Sequence, residues 1–273
     1  MFDSFANPTF PRWAIMWSMA TALYVACKTL TWRGRRAGDF PAWKHWGYLC
    51  GWPGLDVDAF LFGVVNNKPS VAEWAFAFFK MAFGAGVLLI MVPNMDGLNE
   101  YAIGWVGMCG VVFVLHFGLF DLLSCGWRAC GVRAIPIMNW PIVARSVSDF
   151  WGNRWNLAFR DATYRFLFRP LLRRFPPAIA LMVGFFVSGL VHELVVSFPA
   201  GAGYGFPTIY FVFQGVAILL ERSPFGRALG LGRGFAGWLF AVAVVVAPSP
   251  LLFHPPFVRG VVFPFLQSLG LLP

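Results

Sequence analysis

Two ionisable residues, His192 and Glu193, stand side by side inside an apolar stretch, Phe186-Val187-Ser188-Gly189-Leu190-Val191-His192-Glu193-Leu194. Titratable groups at bilayer depth are costly and are usually kept for function. Consecutive helical residues point about 100° apart, so the two do not easily share one neighbour, and at least one should face a polar cavity. Small residues one turn earlier, Ser188 and Gly189, leave space beside the imidazole. The competing interpretation is a structural histidine hydrogen-bonded between helices. An imidazole titrates near neutral pH and can take a proton from a hydroxyl. The oxygen then attacks an activated acyl group, and the developing oxyanion needs a donor. Signatures of other chemistries are missing. No second histidine follows His192-Glu193 at i+4, so the zinc-protease pair is absent. There is no GxSxG elbow and no glycine-rich phosphate loop with a lysine. Gly230, Gly232 and Gly234 read as a flexible connector. The other histidines, His45, His116 and His254, are not spaced as metal ligands, so neither a metal nor a resident cofactor is expected. His116, in another apolar stretch, either reaches the same cavity or bonds a neighbouring helix.

The elements that must carry these residues follow from composition. Of 273 residues, 59% are hydrophobic and 12% charged, against about 25% charged in soluble domains. Too few charges remain to cover a water-facing surface, whereas lipid suits such a chain. At about 20 residues per span, the length fits one integral-membrane domain over residues 1–273, an all-α polytopic transmembrane helical bundle of about six to eight spans. Six are read directly: Pro11–Thr31, Trp74–Val92, Ile103–Leu123, Pro177–Phe198, Phe206–Leu220 and Phe235–Phe253. A last apolar stretch, Gly260–Leu272, looks too short to cross and is expected to lie in the interface or re-enter. The first span follows no basic leader and no small-residue cleavage site follows it, so it is read as retained.

Charge placement supports this topology. Of the 21 Lys and Arg residues, 17 fall in alternate connecting segments, with Arg12 and Arg259 on the opposite side. The positive-inside rule makes the basic segments cytoplasmic. The net charge of +9 is thus a topology signal, and no basic stripe points to nucleic acid. Five scattered cysteines, odd in number, form neither a disulfide framework nor a CxxC site.

Two basic segments are unusual. Trp43–Gly63 gathers Trp46, Tyr48, Trp52 and Phe60 around Trp52-Pro53-Gly54 and is expected at the membrane interface. In Ser146–Pro170, Trp151, Trp155, Phe159, Ala162 and Phe166 recur at three- to four-residue spacing. That spacing predicts one amphipathic helix, capped by Ser148, ended by Pro170 and carrying an Asp161–Arg165 pair.

Ser146-Val147-Ser148-Asp149-Phe150-Trp151-Gly152-Asn153-Arg154-Trp155-Asn156, followed by Ser188-Gly189-Leu190-Val191-His192-Glu193-Leu194, resembles the wax synthase domain, part of the membrane-bound O-acyltransferase superfamily. Gly51-Trp52-Pro53-Gly54-Leu55-Asp56, His116-Phe117-Gly118-Leu119-Phe120 and Phe253-His254-Pro255-Pro256-Phe257 support the likeness, which runs over about residues 45–273. The resemblance implies an acyl-CoA-dependent transfer onto an alcohol, with acyl-CoA as co-substrate and a hydroxyl-bearing lipid or other alcohol as acceptor. It makes His192 the general base and Asn156 the assisting residue. Asp149, Trp151 and Trp155 match the stretch that lines the donor's path. Arg154 and Arg160, with Arg165, are expected to attract the donor's phosphates, and Ser188, Glu193 and His116 to lie on the substrate side. Asn153 departs from the arginine found in many members. A bacterial source would place the chain in the inner membrane, a eukaryotic one in the endoplasmic reticulum. The contrasting hypothesis is a transporter or lipid-handling protein in which His192 and Glu193 relay protons; the sequence shows no repeat pair of the kind transporters carry.

Overall fold

A computed structural model describes residues 10–65, 68–95 and 97–272. Helices dominate, and among the described residues the β structure is one isolated bridge, Val64 to Val132. We label the main helices α1 (Arg12–Arg33), α2 (Ala42–Gly51), α3 (Val57–Phe62), α4 (Val71–Asn94), α5 (Glu100–Ala129), α6 (Leu157–Thr163), α7 (Pro177–Ala200), α8 (Phe206–Arg222) and α9 (Gly234–Leu252).

Local chemistry sets the starts of these helices. Ser70 and Glu73 form a reciprocal capping box that opens α4, and the Asn99 side chain accepts from Ala102 N–H at the start of α5. Pro177 opens α7, where its missing N–H costs nothing. Among the described residues, four helices, α4, α5, α7 and α9, are long and apolar enough to cross a membrane, and only 17–22% of their most apolar windows is buried inside the protein. The exposed side chains there, such as Phe79, Leu89, Ile90 and Leu239, have lipid as their natural solvent. The other two expected spans are also helical but do not meet that measure. α8 has 17 residues, and α1 is interrupted by Ser18, Thr21, Tyr24 and Lys28.

The bundle packs through small residues and ion pairs between helices. A Cβ on Gly84 of α4 would lie 2.7 Å from Val114 N of α5, so only glycine permits that approach. Lys80 pairs with Asp121, and Glu73 with Arg128 at 2.7 Å, across the same interface. Residues 255–268, helical with a π turn in the middle, pack against α5 and the ends of α1 and α7. Val258, Val261 and Leu266 are fully buried, so residues 260–268 of the last apolar stretch pack into the bundle.

The two unusual segments also become architecture. Around Trp52-Pro53-Gly54, α2 and α3 bury Tyr48, Trp52 and Phe60 against Ala158 and Ala162 of α6, while Trp43 and Trp46 stay exposed. The amphipathic segment is present but not as one helix. A turn, Val147–Asp149, continues as a π turn, Phe150–Arg154; the chain breaks at Trp155-Asn156, and α6 starts anew. Asn156 has φ 44°, a left-handed conformation that Asn tolerates better than most residues. Ser146, not Ser148, caps the first piece by accepting from Asp149 N–H at 2.9 Å. Beyond the break, where a π turn Tyr164–Phe168 follows α6, the expected Asp161–Arg165 pair is replaced by others. Asp161 bonds Arg160 at 2.8 Å, and Arg165 reaches Asp58 at 3.6 Å. Spacing alone could not see the break, because a left-handed residue leaves the apolar period intact on either side.

Candidate active site

His192 ends the α-helical part of α7, just before a π turn, Glu193–Ser197. Its Nδ1 lies 2.7 Å from the Ser188 carbonyl. A carbonyl only accepts, so Nδ1 carries the proton, and in the neutral ring Nε2 presents a lone pair. Among the described residues, no group hydrogen-bonds Nε2. The imidazole lies against Phe211 of α8, with ring centroids 4.3 Å apart. Gly189 permits this contact: a Cβ there would sit 2.6 Å from Thr208 Cα, so α8 crosses directly over the glycine. Gly189 therefore provides close helix approach, and Ser188 provides a backbone acceptor. The Ser188 hydroxyl itself donates to Gly184 O at 3.0 Å.

Glu193 points to the start of α8. Its Oε1 accepts from Gly205 N–H, Thr208 N–H and the Thr208 hydroxyl, at 3.0, 3.1 and 2.8 Å. A carboxylate at a helix N-terminus satisfies orphan donors and opposes the helix dipole. The turn that allows it uses Gly201, Gly203 and Gly205, all at positive φ. Glu193 Oε2 is buried without a partner. Glu193 thus anchors the helix that carries Phe211, and among the described residues it makes no hydrogen bond to His192.

From Phe211 a series of rings leads to the second motif. Phe211 lies 5.5 Å from Trp151, whose neighbour Phe150 stacks on Trp155 at 5.6 Å and 13°. Trp155 meets Phe117, the residue after His116, at 6.4 Å. Trp151 is held by Gln214 of α8, which accepts from its indole N–H at 3.2 Å and donates to Val244 O of α9 at 2.9 Å. The N-terminus of the Trp151 turn is fixed by Glu221, which accepts from Val147 and Ser148 N–H at 2.8 and 2.9 Å. Phe211, Gln214 and Glu221 were not among the residues singled out from the sequence. Gln214 left a readable signal: a lone amide in an apolar run, here fully buried.

The remaining predicted residues divide into groups. Asp149 binds Arg154 at 2.6 Å, Asn153 Nδ2 at 3.2 Å and Arg145 N–H at 3.2 Å. Burial pushes its carboxyl up, but these three donors outweigh it and hold Asp149 below its ordinary value. Arg154 also reaches Asn139 O and Trp140 O, and Arg160 bonds Gly152 O and Asp161. Asn156 caps α6, its Oδ1 accepting from Phe159 N–H at 3.4 Å. No hydrogen bond joins Asn156 to His192 among the described residues. His116 Nδ1 is buried without a partner.

Both motifs fall within residues 134–213, which match the model of the membrane bound O-acyl transferase family. A long-chain-alcohol O-fatty-acyltransferase of Simmondsia chinensis is 32% identical, over 66% of this chain and 54% of that protein. Two probable long-chain-alcohol O-fatty-acyltransferases of Arabidopsis thaliana, numbers 9 and 8, are 31% and 37% identical. These matches cover 48% and 58% of this chain, and 42% and 49% of the relatives. The chain resembles the wax synthases among the membrane-bound O-acyltransferases. It spans about half the length of the curated relatives it matches. The acyltransferase-like segment begins at the turn after α5 and ends at Phe213 in α8, so it holds Asn156, His192 and Phe211 together.

Proposed function

We propose that this protein is a membrane-bound O-acyltransferase that moves an acyl group from acyl-CoA to an alcohol, with His192 as general base. The observation that carries the proposal is the His192 ring: Nδ1 is held by the Ser188 carbonyl, and Nε2 has no hydrogen-bond partner among the described residues. A base needs this arrangement, with one nitrogen fixing tautomer and orientation while the other meets the hydroxyl proton. The alcohol oxygen attacks the thioester carbonyl as Nε2 takes its proton. The C–S bond then breaks, and the coenzyme A thiolate recovers that proton from the imidazolium. Asn156 assists at the carbonyl, and the rings from Phe211 to Trp155 give the acyl chain an apolar wall. With the basic segments on the cytoplasmic side, the water-soluble donor approaches from there and the alcohol from the bilayer.

Membranes containing His192→Ala, supplied with acyl-CoA and a long-chain alcohol, should form no ester while the protein still inserts. Ester formation at the parent rate would exclude His192 from the mechanism. Flux that follows a pH gradient in proteoliposomes without any acyl donor would instead favour a proton relay.

A further inference from the structure

A cleft of ≈ 710 Å³ opens among α3, α6 and the segments after α1 and α5, and its walls do not include His192. Four arginines line it, Arg36, Arg133, Arg165 and Arg169, together with Asp56, Asp58 and Asp161. The carboxylates already have partners. Asp58 lies 3.6 Å from Arg165 and 3.9 Å from Arg36 and accepts from Arg36 N–H, Asp161 pairs with Arg160, and Asp56 caps α3 through Ala59 N–H. Arg165 is further tied to Gly34 O. Arg133 and Arg169 are different: both are exposed, and neither guanidinium has an ion pair or a side-chain hydrogen bond among the described residues. Two planar forks without such partners, lining one cleft, are suited to phosphate oxygens, which they can meet bidentately. The exposed Tyr164 also lines the cleft. A separate hollow of ≈ 70 Å³ shares Asp56, Arg133 and Asp161 with the cleft and reaches Leu157 and Ala158, in the first turn of the helix that Asn156 caps.

We propose that this cleft binds a phosphate-ester head group through Arg133 and Arg169. The assignment rests on the acyl-transfer reading only for the natural ligand, which would then be the nucleotide end of the donor. It also moves the anionic contact away from Arg154 and Arg160, whose guanidiniums are bonded within the protein. A phospholipid head group shares the same chemistry, and the experiment separates the two sources.

The full chain in a phosphate-free maltoside detergent is titrated with adenosine bisphosphate by calorimetry, and separately tested for retention of phosphatidic acid from mixed micelles. Replacing both Arg133→Gln and Arg169→Gln should weaken binding of the true probe by about tenfold or more, since two charge-assisted contacts are lost. Arg173→Gln, an exposed arginine outside the cleft, should bind like the parent. Bisphosphate binding that depends on the pair supports a soluble nucleotide as the source. Phosphatidic acid retention that depends on the pair, without bisphosphate binding, supports a lipid head group. If neither probe binds the parent, or if the double variant binds as the parent does, the proposal is overturned. The readout needs no turnover. A chain that binds bisphosphate through the pair but makes no ester therefore refutes acyl transfer and leaves the cleft assignment standing.

Discussion

His192 and His254 are two histidines in one bundle, and their surroundings differ in the way that separates chemistry from packing. His254 is fully buried, and both its nitrogens are occupied. Nδ1 accepts from Phe257 N–H at 3.2 Å, and Nε2 meets the Ser197 hydroxyl at 3.3 Å. Ser197 in turn donates to Gly203 O, and a Cβ on Gly203 would lie 2.5 Å from the His254 ring. Nothing can enter there. His192 is half-buried, with one nitrogen fixed and the other without a hydrogen-bond partner among the described residues, its face covered by a ring and not by a glycine backbone. Burial alone does not mark a base; the marks are a fixed tautomer and an unclaimed lone pair.

The comparison can be broken most directly by exchanging losses. His192→Ala should remove ester formation altogether with little change in thermal midpoint. His254→Ala should do the reverse, destabilising the bundle by about 2–4 kcal/mol through a lost cap, a lost bond and a cavity, while the folded fraction keeps its turnover. A His254→Ala protein that folds normally yet makes no ester would overturn the distinction.

Gly189→Ala comes next. The new methyl must push α8 away from α7, at a cost of about 1–3 kcal/mol, and should displace Phe211 from the imidazole. Activity should fall more than the loss of folded protein explains, as read by turnover per folded molecule. Equal losses would show that Phe211 does not matter to His192.

Asn156 needs a more careful substitution than alanine. Ala would remove a helix cap and strain a left-handed residue, costing about 1–2 kcal/mol each, so lost activity would be ambiguous. Asn156→Asp keeps the cap and tolerates the backbone but removes the amide donor. It should retain the parent's thermal midpoint and lose at least about tenfold in turnover, as expected for a donor to an oxyanion. Unchanged turnover would confine Asn156 to structure.

The smallest effect concerns Asp149. Its folded pKa is depressed, so its contribution to stability is present above the unfolded value of about 3.9 and is lost as pH falls through the folded value. Asp149→Asn should flatten the acid limb of a stability-versus-pH curve, lowering stability near neutral pH by no more than about 1 kcal/mol and leaving stability below the folded value almost unchanged.

By itself the sequence determined the solvent and the elements. A chain with 59% hydrophobic and 12% charged residues must bury its helices in lipid, and His192 in an apolar run was conspicuous for the same energetic reason. Gln214, a neutral amide in an apolar run, is legible on the same ground. Tertiary structure decided what these residues touch. The break at Asn156 depends on a backbone conformation that no periodicity encodes. The anchoring of α8 by Glu193, the stacking of Phe211 on His192 and the gathering of arginines from three separate segments join residues far apart in the chain, and such contacts are fixed by packing and not by local pattern. Glu193 illustrates both halves: its charge in a span signalled importance, and only the fold showed that its partners are the first amides of the next helix.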